Sequence, residues 1–394
     1  MISVEDALVQ CLALVGPLPV EHVPLALAAG RYMPGPATAS RDQPPFAASA
    51  MDGYAVQGDP TADDRFTVVG EAGAGHAWHG TLGPLQAARI FTGAPLPDGA
   101  TRVIIQEDVI RDGDTITVKP GADAGTHIRP AGQDFRAGDT LPARLLRPND
   151  LALLASMNVA LVPVTRRPVV AIIATGDELV MPGETPGPDQ IIASNSFTLK
   201  ALAEEAGAEV RLLPIARDTV EALSFVLGLA EGADVIVTTG GASVGEHDLV
   251  AQVAESLGMQ RAFWKIAMRP GKPLMAGRLG GAALLGLPGN PVSSVVCAHL
   301  FLLPMIRALL GLPADFHAPR PQPAVLAEDV GPTGPRAHYM RARLTQTGGL
   351  PRITPFDRQD SSLLSILSSA DALLIRPAGD SPRSTGAPVT YLPI

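Results

Sequence analysis

Residues 234–248 read D-V-I-V-T-T-G-G-A-S-V-G-E-H-D, and this stretch decides the fold. The apolar run Val235, Ile236, Val237 ends in two threonines and two glycines, and the acids Glu246 and Asp248 follow. Such a run marks a strand of parallel type, buried on both faces, and a glycine-rich loop at its carboxyl end is where open α/β sheets bind ligands. Glycine lacks a Cβ, so backbone N–H groups there can approach an anion closely. Taken alone, the stretch also reads as a tight strand-to-helix turn with a solvated acidic rim. The neighbouring sequence decides between the two.

Working outward, residues 169–174 form another buried run, ending in T-G-D-E. After a proline- and glycine-rich excursion, Ser194 or Asn195 caps a helix over 197–206. A strand over 210–215 ends at Arg217 and Asp218, and helices are expected over 219–230 and 249–257. Residues 263–267 lead to R-P-G-K-P at 269–273, and 282–285 run into G-L-P-G-N-P before a long apolar helix. Pro291 falls in the first turn of that helix, where proline is tolerated. Strands alternating with helices of this length make a three-layer, mostly parallel α/β domain. Five strand ends carry polar or glycine-rich sets: Asp177 and Glu178; Asp218; Gly240, Gly241, Ser243, Gly245 and Asp248; Lys265, Arg269 and Lys272; and Pro288, Gly289 and Asn290. In this architecture they gather at one edge of the sheet, which favours a site over an idle turn.

The flanking segments differ in character. Ser3 can cap a first helix carrying Glu5 and Asp6 in its opening turn. Residues 35–56 are rich in proline and small residues and contain the Asp52-Gly53 turn. Short runs at 67–69, 88–91, 102–106 and 115–118, separated by glycine, proline and aspartate, indicate a β-rich domain, with Thr92-Gly93-Ala94-Pro95 ending one run. A polar connector with Arg129 and Asp134 follows, then a short helix capped by Asn149 or Asp150 and a proline-interrupted edge strand over 159–164. After Pro313 the pattern is again β-like, fitting a small barrel or sandwich of about eighty residues with Arg341 and Ser361 as its most suggestive polar positions.

At 394 residues the chain exceeds what a single core supports, and 46% hydrophobic against 18% charged residues leaves ample material for several. The formal net charge of -9 and the lack of a basic block argue against nucleic-acid binding. Cys11 and Cys297 lie in apolar surroundings with no C-x-x-C spacing, as buried thiols of a cytoplasmic protein do. Neither a signal peptide nor a membrane span is expected.

At the α/β edge, glycine-loop donors and the cations Lys265, Arg269 and Lys272 suit phosphate or another tetrahedral oxyanion. The carboxylates Asp177, Glu178, Asp218, Glu246 and Asp248 would repel it unless a divalent cation lay between, and oxygen-only ligands point to Mg²⁺ over Zn²⁺. Walker and G-x-G-x-x-G patterns are absent from the sequence. The residues alone therefore lead to metal-assisted handling of a phosphorylated or oxyanionic small molecule.

Six motifs in fixed order carry a resemblance that covers almost the whole chain: P-P-F-A-A-S-A-M-D-G-Y-A-V (44–56), T-G-A-P-L-P (92–97), T-G-D-E-L (175–179), T-G-G-A-S-V-G-E-H-D (239–248), F-W-K-I-A-M-R-P-G-K-P (263–273) and G-L-P-G-N-P-V-S (286–293). Together they resemble the molybdopterin molybdenumtransferase, or molybdenum insertase, family of molybdenum cofactor biosynthesis. The resemblance implies four parts: an elongated domain (1–40 and 125–166), a β-rich domain with the D-G-Y-A segment (41–124), a three-layer α/β molybdopterin-binding domain (167–311) and a C-terminal β-barrel (312–394). It implies insertion of molybdate into adenylyl-molybdopterin with release of AMP and help from Mg²⁺. It also implies a cytoplasmic homodimer whose cleft combines the α/β domain of one subunit with the first domains of the other. A molybdopterin adenylyltransferase would be the upstream donor, and molybdoenzyme apoproteins or cofactor-modifying enzymes would act downstream.

Carried onto this sequence, the resemblance assigns Asp52, Thr92, Glu178 and Asp134 to the catalytic wall. It gives Gly240, Gly241, Ser243 and Gly245 to the pterin or nucleotide phosphate, and Asp218, Asp248 and Glu178 to the nucleotide or its metal. Lys265, Arg269 and Lys272 would take phosphate or molybdate, with Pro288, Gly289, Asn290, Arg341 and Ser361 completing the site. The chain departs from the family pattern at Arg269, often lysine, at Ala47 and Ala48, often Asp-Asn, and at residues 192–195, which lack an acid. Adenylyl transfer onto molybdopterin, or scaffolding without turnover, are the competing readings.

Overall fold

The computed structural model describes residues 1–241 and 249–394 and divides into two compact units, one comprising Met1–Glu21 with Val164–Ile394 and the other His22–Pro163. Ser243, Gly245, Glu246, His247 and Asp248 lie outside the described residues.

In the larger unit a six-stranded sheet has the order Glu209–Leu212, Val169–Ala174, Val235–Thr239, Ala282–Leu287, Met275–Leu279, Gln260–Trp264. The first four strands are mutually parallel. Met275–Leu279 runs antiparallel to both its neighbours, so Gln260–Trp264 points the same way as the first four. Five of the six strands therefore leave the sheet at one edge, as the sequence leads one to expect. Alternate residues feed two cores. Val170, Ile172, Val235 and Val237 pack with the helices Val4–Leu12 and Asn195–Glu205 and with the helical run from Pro291, whereas Ala171, Ile173 and Ile236 pack with Val220–Leu229 and Leu249–Ser256. Apolar residues on both faces of a strand are what a three-layer fold requires.

Helix starts follow local chemistry. Ser3 accepts a hydrogen bond from the Asp6 N–H, and Thr219 from that of Ala222, satisfying donors that a first turn leaves unpaired. The run Pro291–Leu309 is long and apolar enough to cross a membrane, but 89% of its most apolar window is buried inside the fold. Asp234, one residue before the central strand, accepts from both terminal nitrogens of Arg166 (2.8 and 2.6 Å) and from the Val169 N–H (2.8 Å). One carboxylate thereby pins the starts of two neighbouring strands.

The carboxy-terminal strands Gln322–Leu326, Ala337–Thr345, Arg352–Pro355, Ala372–Arg376 and Pro388–Pro393 close into a barrel, because Ala337–Thr345 pairs with both Arg352–Pro355 and Ala372–Arg376. Closure leaves no unpaired edge in the ring.

The smaller unit holds a six-stranded sheet in the order Arg102–Ile105, Gly53–Val56, Gln86–Ile90, Arg65–Ala72, Thr115–Val118, Val109–Asp112. Two-stranded ribbons join Tyr32–Met33 to Arg144–Leu145, Ala37–Thr38 to Thr140–Leu141, and Ala48–Ser49 to Ile128–Arg129. Early and late segments of the unit thus run together. The helix Pro148–Ser156 begins at Arg147, whose N–H donates to Asp150, so Asp150 caps from inside the first turn.

Asp234→Ala removes three charge-assisted hydrogen bonds at the base of the sheet and is expected to cost about 2 kcal/mol, with Asp234→Asn losing less. Urea denaturation of the two variants beside the parent measures it.

Candidate active site

In the larger unit, strand ends enclose a cavity of about 560 Å³ whose walls include Thr175, Glu178, Asn195, Gly240, Gly289, Asn290 and Ser362. Its floor is backbone in close contact. A Cβ on Gly240 (φ +95°) would lie 2.3 Å from the Thr175 carbonyl oxygen, and one on Gly289 would lie 3.3 Å from the Gly240 Cα. Gly241 (φ +65°) would meet the Val250 side chain at 2.3 Å. Gly240 and Gly241 are therefore demanded by packing as well as by conformation, while Gly289 lets the two backbones approach closely. The Asn195 side-chain amide donates to the Gly289 carbonyl (2.7 Å), tying the start of one helix to the G-L-P-G-N-P turn.

Beside the cavity, Arg217 Nη1 donates to the carbonyls of Asp177 (2.8 Å) and Leu179 (3.1 Å), holding the T-G-D-E-L loop in place. Asp218 donates its N–H to Asp177 Oδ1 (3.1 Å). Burial first, then the charges of Asp177 and Glu178, push the Asp218 carboxyl above the ordinary carboxylate range. Excess negative charge on oxygen donors is the chemistry that a hard divalent cation offsets. Among the described residues no group of three His, Cys, Asp or Glu side chains is arranged to hold a metal ion alone.

The cations expected at this edge are divided. Lys265 has φ +70°, uncommon for a residue with a side chain, and its ammonium lies 3.7 Å from the centre of the Trp264 ring. The Lys272 carbonyl accepts from the Ile266 N–H (3.0 Å). Arg269 borders a separate hollow of about 130 Å³ with Thr333, Arg336 and His338. His338 is held down to about 4 by burial, followed by Arg269, Arg376, Arg341 and Arg336. Such a field favours an anion. Arg341 is 1% exposed and donates to the carbonyls of Leu363 (3.2 Å) and Arg358 (3.3 Å), so it braces the loop that carries Ser361 and Ser362. The Ser361 carbonyl accepts from the Val292 N–H (3.1 Å), while Ser362 faces the large cavity.

In the smaller unit, the pairing of Gly53 with Ile90 carries Asp52 beside Thr92. One Asp52 oxygen accepts from both the N–H and the hydroxyl of Thr92, each at 2.8 Å. Those two bonds, with Arg89 nearby, hold the Asp52 carboxyl below its usual range. Gly53 admits no side chain, since a Cβ would lie 1.9 Å from the Ile104 carbonyl oxygen. Asp134 lines a cavity of about 590 Å³ together with Gln43, Pro44, Phe46, Gly93 and Arg129. The Asp134 N–H donates to the Gln43 carbonyl (2.9 Å), and that of Gly132 to Pro44 (2.9 Å).

Sequence reasoning did not single out Arg217, Arg336, His338 or Ser362 as site groups. A lone arginine after a strand, or one histidine in R-A-H-Y, carries no spacing signal, because its role comes from contacts between distant segments.

Three family models match in chain order: the MoeA N-terminal region (domains I and II) over residues 2–158, a probable molybdopterin binding domain over 171–308, and the MoeA C-terminal region (domain IV) over 323–394. The chain is 36% identical over 366 residues to molybdopterin molybdenumtransferase 2 of Mycobacterium tuberculosis, covering 89% of each chain. It is 35% identical over 389 residues to the molybdopterin molybdenumtransferase of Nostoc sp., covering 94% of this chain and 88% of the other. The crystal structure of a molybdopterin biosynthesis MoeA protein from Pyrococcus horikoshii is similar to it with a TM-score of 0.85 at 30% identity, covering 100% of this chain and 99% of that one.

Because the folded pKa of Asp218 is raised, its ionisation opposes folding: the cost is absent below the carboxylate range and grows as pH rises through it. In EDTA, Asp218→Asn is expected to match the parent in thermal midpoint near pH 3 and to exceed it at pH 8. A variant less stable than the parent at pH 8 would contradict the crowding of negative charge.

Proposed function

We propose, from the premise that the chain belongs to the MoeA family of molybdopterin molybdenumtransferases, that it inserts molybdate into adenylylated molybdopterin and releases AMP. The observation that carries this reading is the convergence of Glu178, Gly240, Gly289 and Asn290 on one 560 Å³ cavity at the carboxyl edge of the sheet, large enough for a pterin or nucleotide moiety.

In this reading the chain acts mainly by positioning and charge neutralisation. The close-packed glycine backbone at 240 and 289 admits the phosphate and pterin without obstruction by side chains. Lys265, Lys272 and Arg269, the last in a cationic field with Arg336, attract the dianionic molybdate and counter charge on the AMP leaving group. Asp52, kept ionised and oriented by Thr92, and Asp134 on its own cavity supply oxygen acceptors that order the water around the incoming oxyanion. Asp218 and Glu178, with Asp248, would hold Mg²⁺, the remaining ligands coming from phosphate and water oxygens, which is the ordinary habit of this ion. Bound there, Mg²⁺ would neutralise phosphate charge and ease departure of AMP. The reading includes a homodimer working in the cytoplasm, a molybdopterin adenylyltransferase as donor, and molybdoenzyme apoproteins or cofactor-modifying enzymes as acceptors.

The test is molybdate-dependent AMP release from adenylyl-molybdopterin, with tungstate compared. The parent protein is expected to release AMP, and Asp52→Ala and Asp248→Ala to lose at least roughly a hundredfold in rate while keeping their fold and oligomeric mass. Release at the parent rate by both variants would sink the assignment. Sedimentation is expected to give twice the chain mass.

A further inference from the structure

A second cavity in the larger unit, of about 320 Å³, lies between the helical run from Pro291 and the barrel strands Gln322–Leu326 and Pro388–Pro393, and it shares no lining residue with the cavity at the sheet edge. Three basic side chains converge on it. His299 belongs to the π-helical turn Ala298–Leu302, and Leu303 and Arg307 follow it at four-residue steps along the same wall. Arg320 faces them from the segment after Phe316, over whose ring its guanidinium lies at 4.1 Å. Leu303, Leu312, Phe316, Leu392 and Pro393 supply the apolar remainder.

The electrostatics are unbalanced. Burial, followed by the Arg307 charge, holds the half-buried His299 down to about 4, and burial, followed by Arg320, disfavours the charge on Arg307. The Arg307 guanidinium donates to a backbone carbonyl, that of His317, at 3.5 Å. Arg320 donates to the Asp315 carbonyl at 3.1 Å, and the Asp315 carboxylate lies 3.6 Å away on the solvent side, the two side chains being 58% and 72% exposed. The His317 ring is committed to the Leu312 carbonyl at 2.6 Å. Half-buried Arg307 and His299 share one hollow with the exposed Arg320, and the positive charge gathered there is what an anion would offset. A π turn is itself a local departure from the α-helix that recurs at functional sites.

We propose that this cavity is a second small-molecule site, for a compound bearing an anionic head, phosphate or carboxylate, on a compact apolar body. The head lies among His299, Arg307 and Arg320, and the body lies against Leu303, Phe316 and Leu392. The volume falls at the lower end of the range for ligand pockets, which fits a body of one ring. An occupant bridges the helical run and the barrel, so binding stabilises their union.

The experiment uses the full chain with phenyl phosphate, benzoate, inorganic phosphate and benzyl alcohol as probes, followed by calorimetry and by the pH titration of the His299 ring signals in NMR. Phenyl phosphate or benzoate is expected to bind more tightly than inorganic phosphate or benzyl alcohol, and the tighter of the first two identifies the head group. The His299 titration is expected to move upward by about one unit or more when the probe is bound. Arg307→Met is expected to weaken binding by roughly tenfold or more, and so is Arg320→Ala, whose exposed position keeps the fold independent of the change. Unchanged affinity in both variants, or His299 signals indifferent to saturating phenyl phosphate and benzoate, would overturn the proposal.

Discussion

The backbone of Gly240 passes so near the carbonyl of Thr175 that no side chain fits between them, and a Cβ on Gly289 would crowd it as well. Everything at the carboxyl edge depends on this contact. It is possible because the strands ending in Ala174, Thr239 and Leu287 run parallel and in register, with Ala174 opposite Thr239 and Thr239 opposite Leu287. The register in turn rests on apolar side chains filling both faces of the sheet, since a shift by one residue would exchange the two cores. Packing of Val, Ile and Leu far from any ligand thus sets the spacing of the polar loops.

Much of this was legible in the sequence for identifiable reasons. Runs such as 169–174 and 235–237 are apolar throughout, and the threonines and glycines behind them mark where the strand hands over to a loop. Ser3, Thr219 and Pro291 announce helix starts through chemistry confined to a few residues. The turn at Asp52 and the run ending at Thr92 are also local signals, whereas their pairing comes from the sheet: Asp52 precedes one strand and Thr92 follows its antiparallel neighbour.

Other features lay beyond local pattern. Met275–Leu279 reads M-A-G-R-L, which lacks the β-branched character of a strand. Gly277 is required there because a Cβ would lie 2.6 Å from the Gln260 carbonyl, beside the irregular pairing of Arg261 and Phe263. Closure of the barrel depends on Ala337–Thr345 pairing on both sides, a property of the whole ring. Arg341, which carries no spacing signal in the sequence, is 1% exposed, and its guanidinium braces the carbonyls of Arg358 and Leu363. The charge crowding around Asp218 and His338 arises from segments far apart in the chain.

The smaller unit is one continuous segment, inserted between a short amino-terminal piece and the remainder of the larger unit. That arrangement orders events on the ribosome. His22–Pro163 can collapse as soon as it emerges, but Ala7 and Cys11, both fully buried at the end, belong to a core whose other members include Phe301 and Leu373. The first helix therefore waits, with its apolar face uncovered, while most of the chain is made. At about 5–20 residues per second that interval lasts on the order of tens of seconds, long enough for a chaperone to matter.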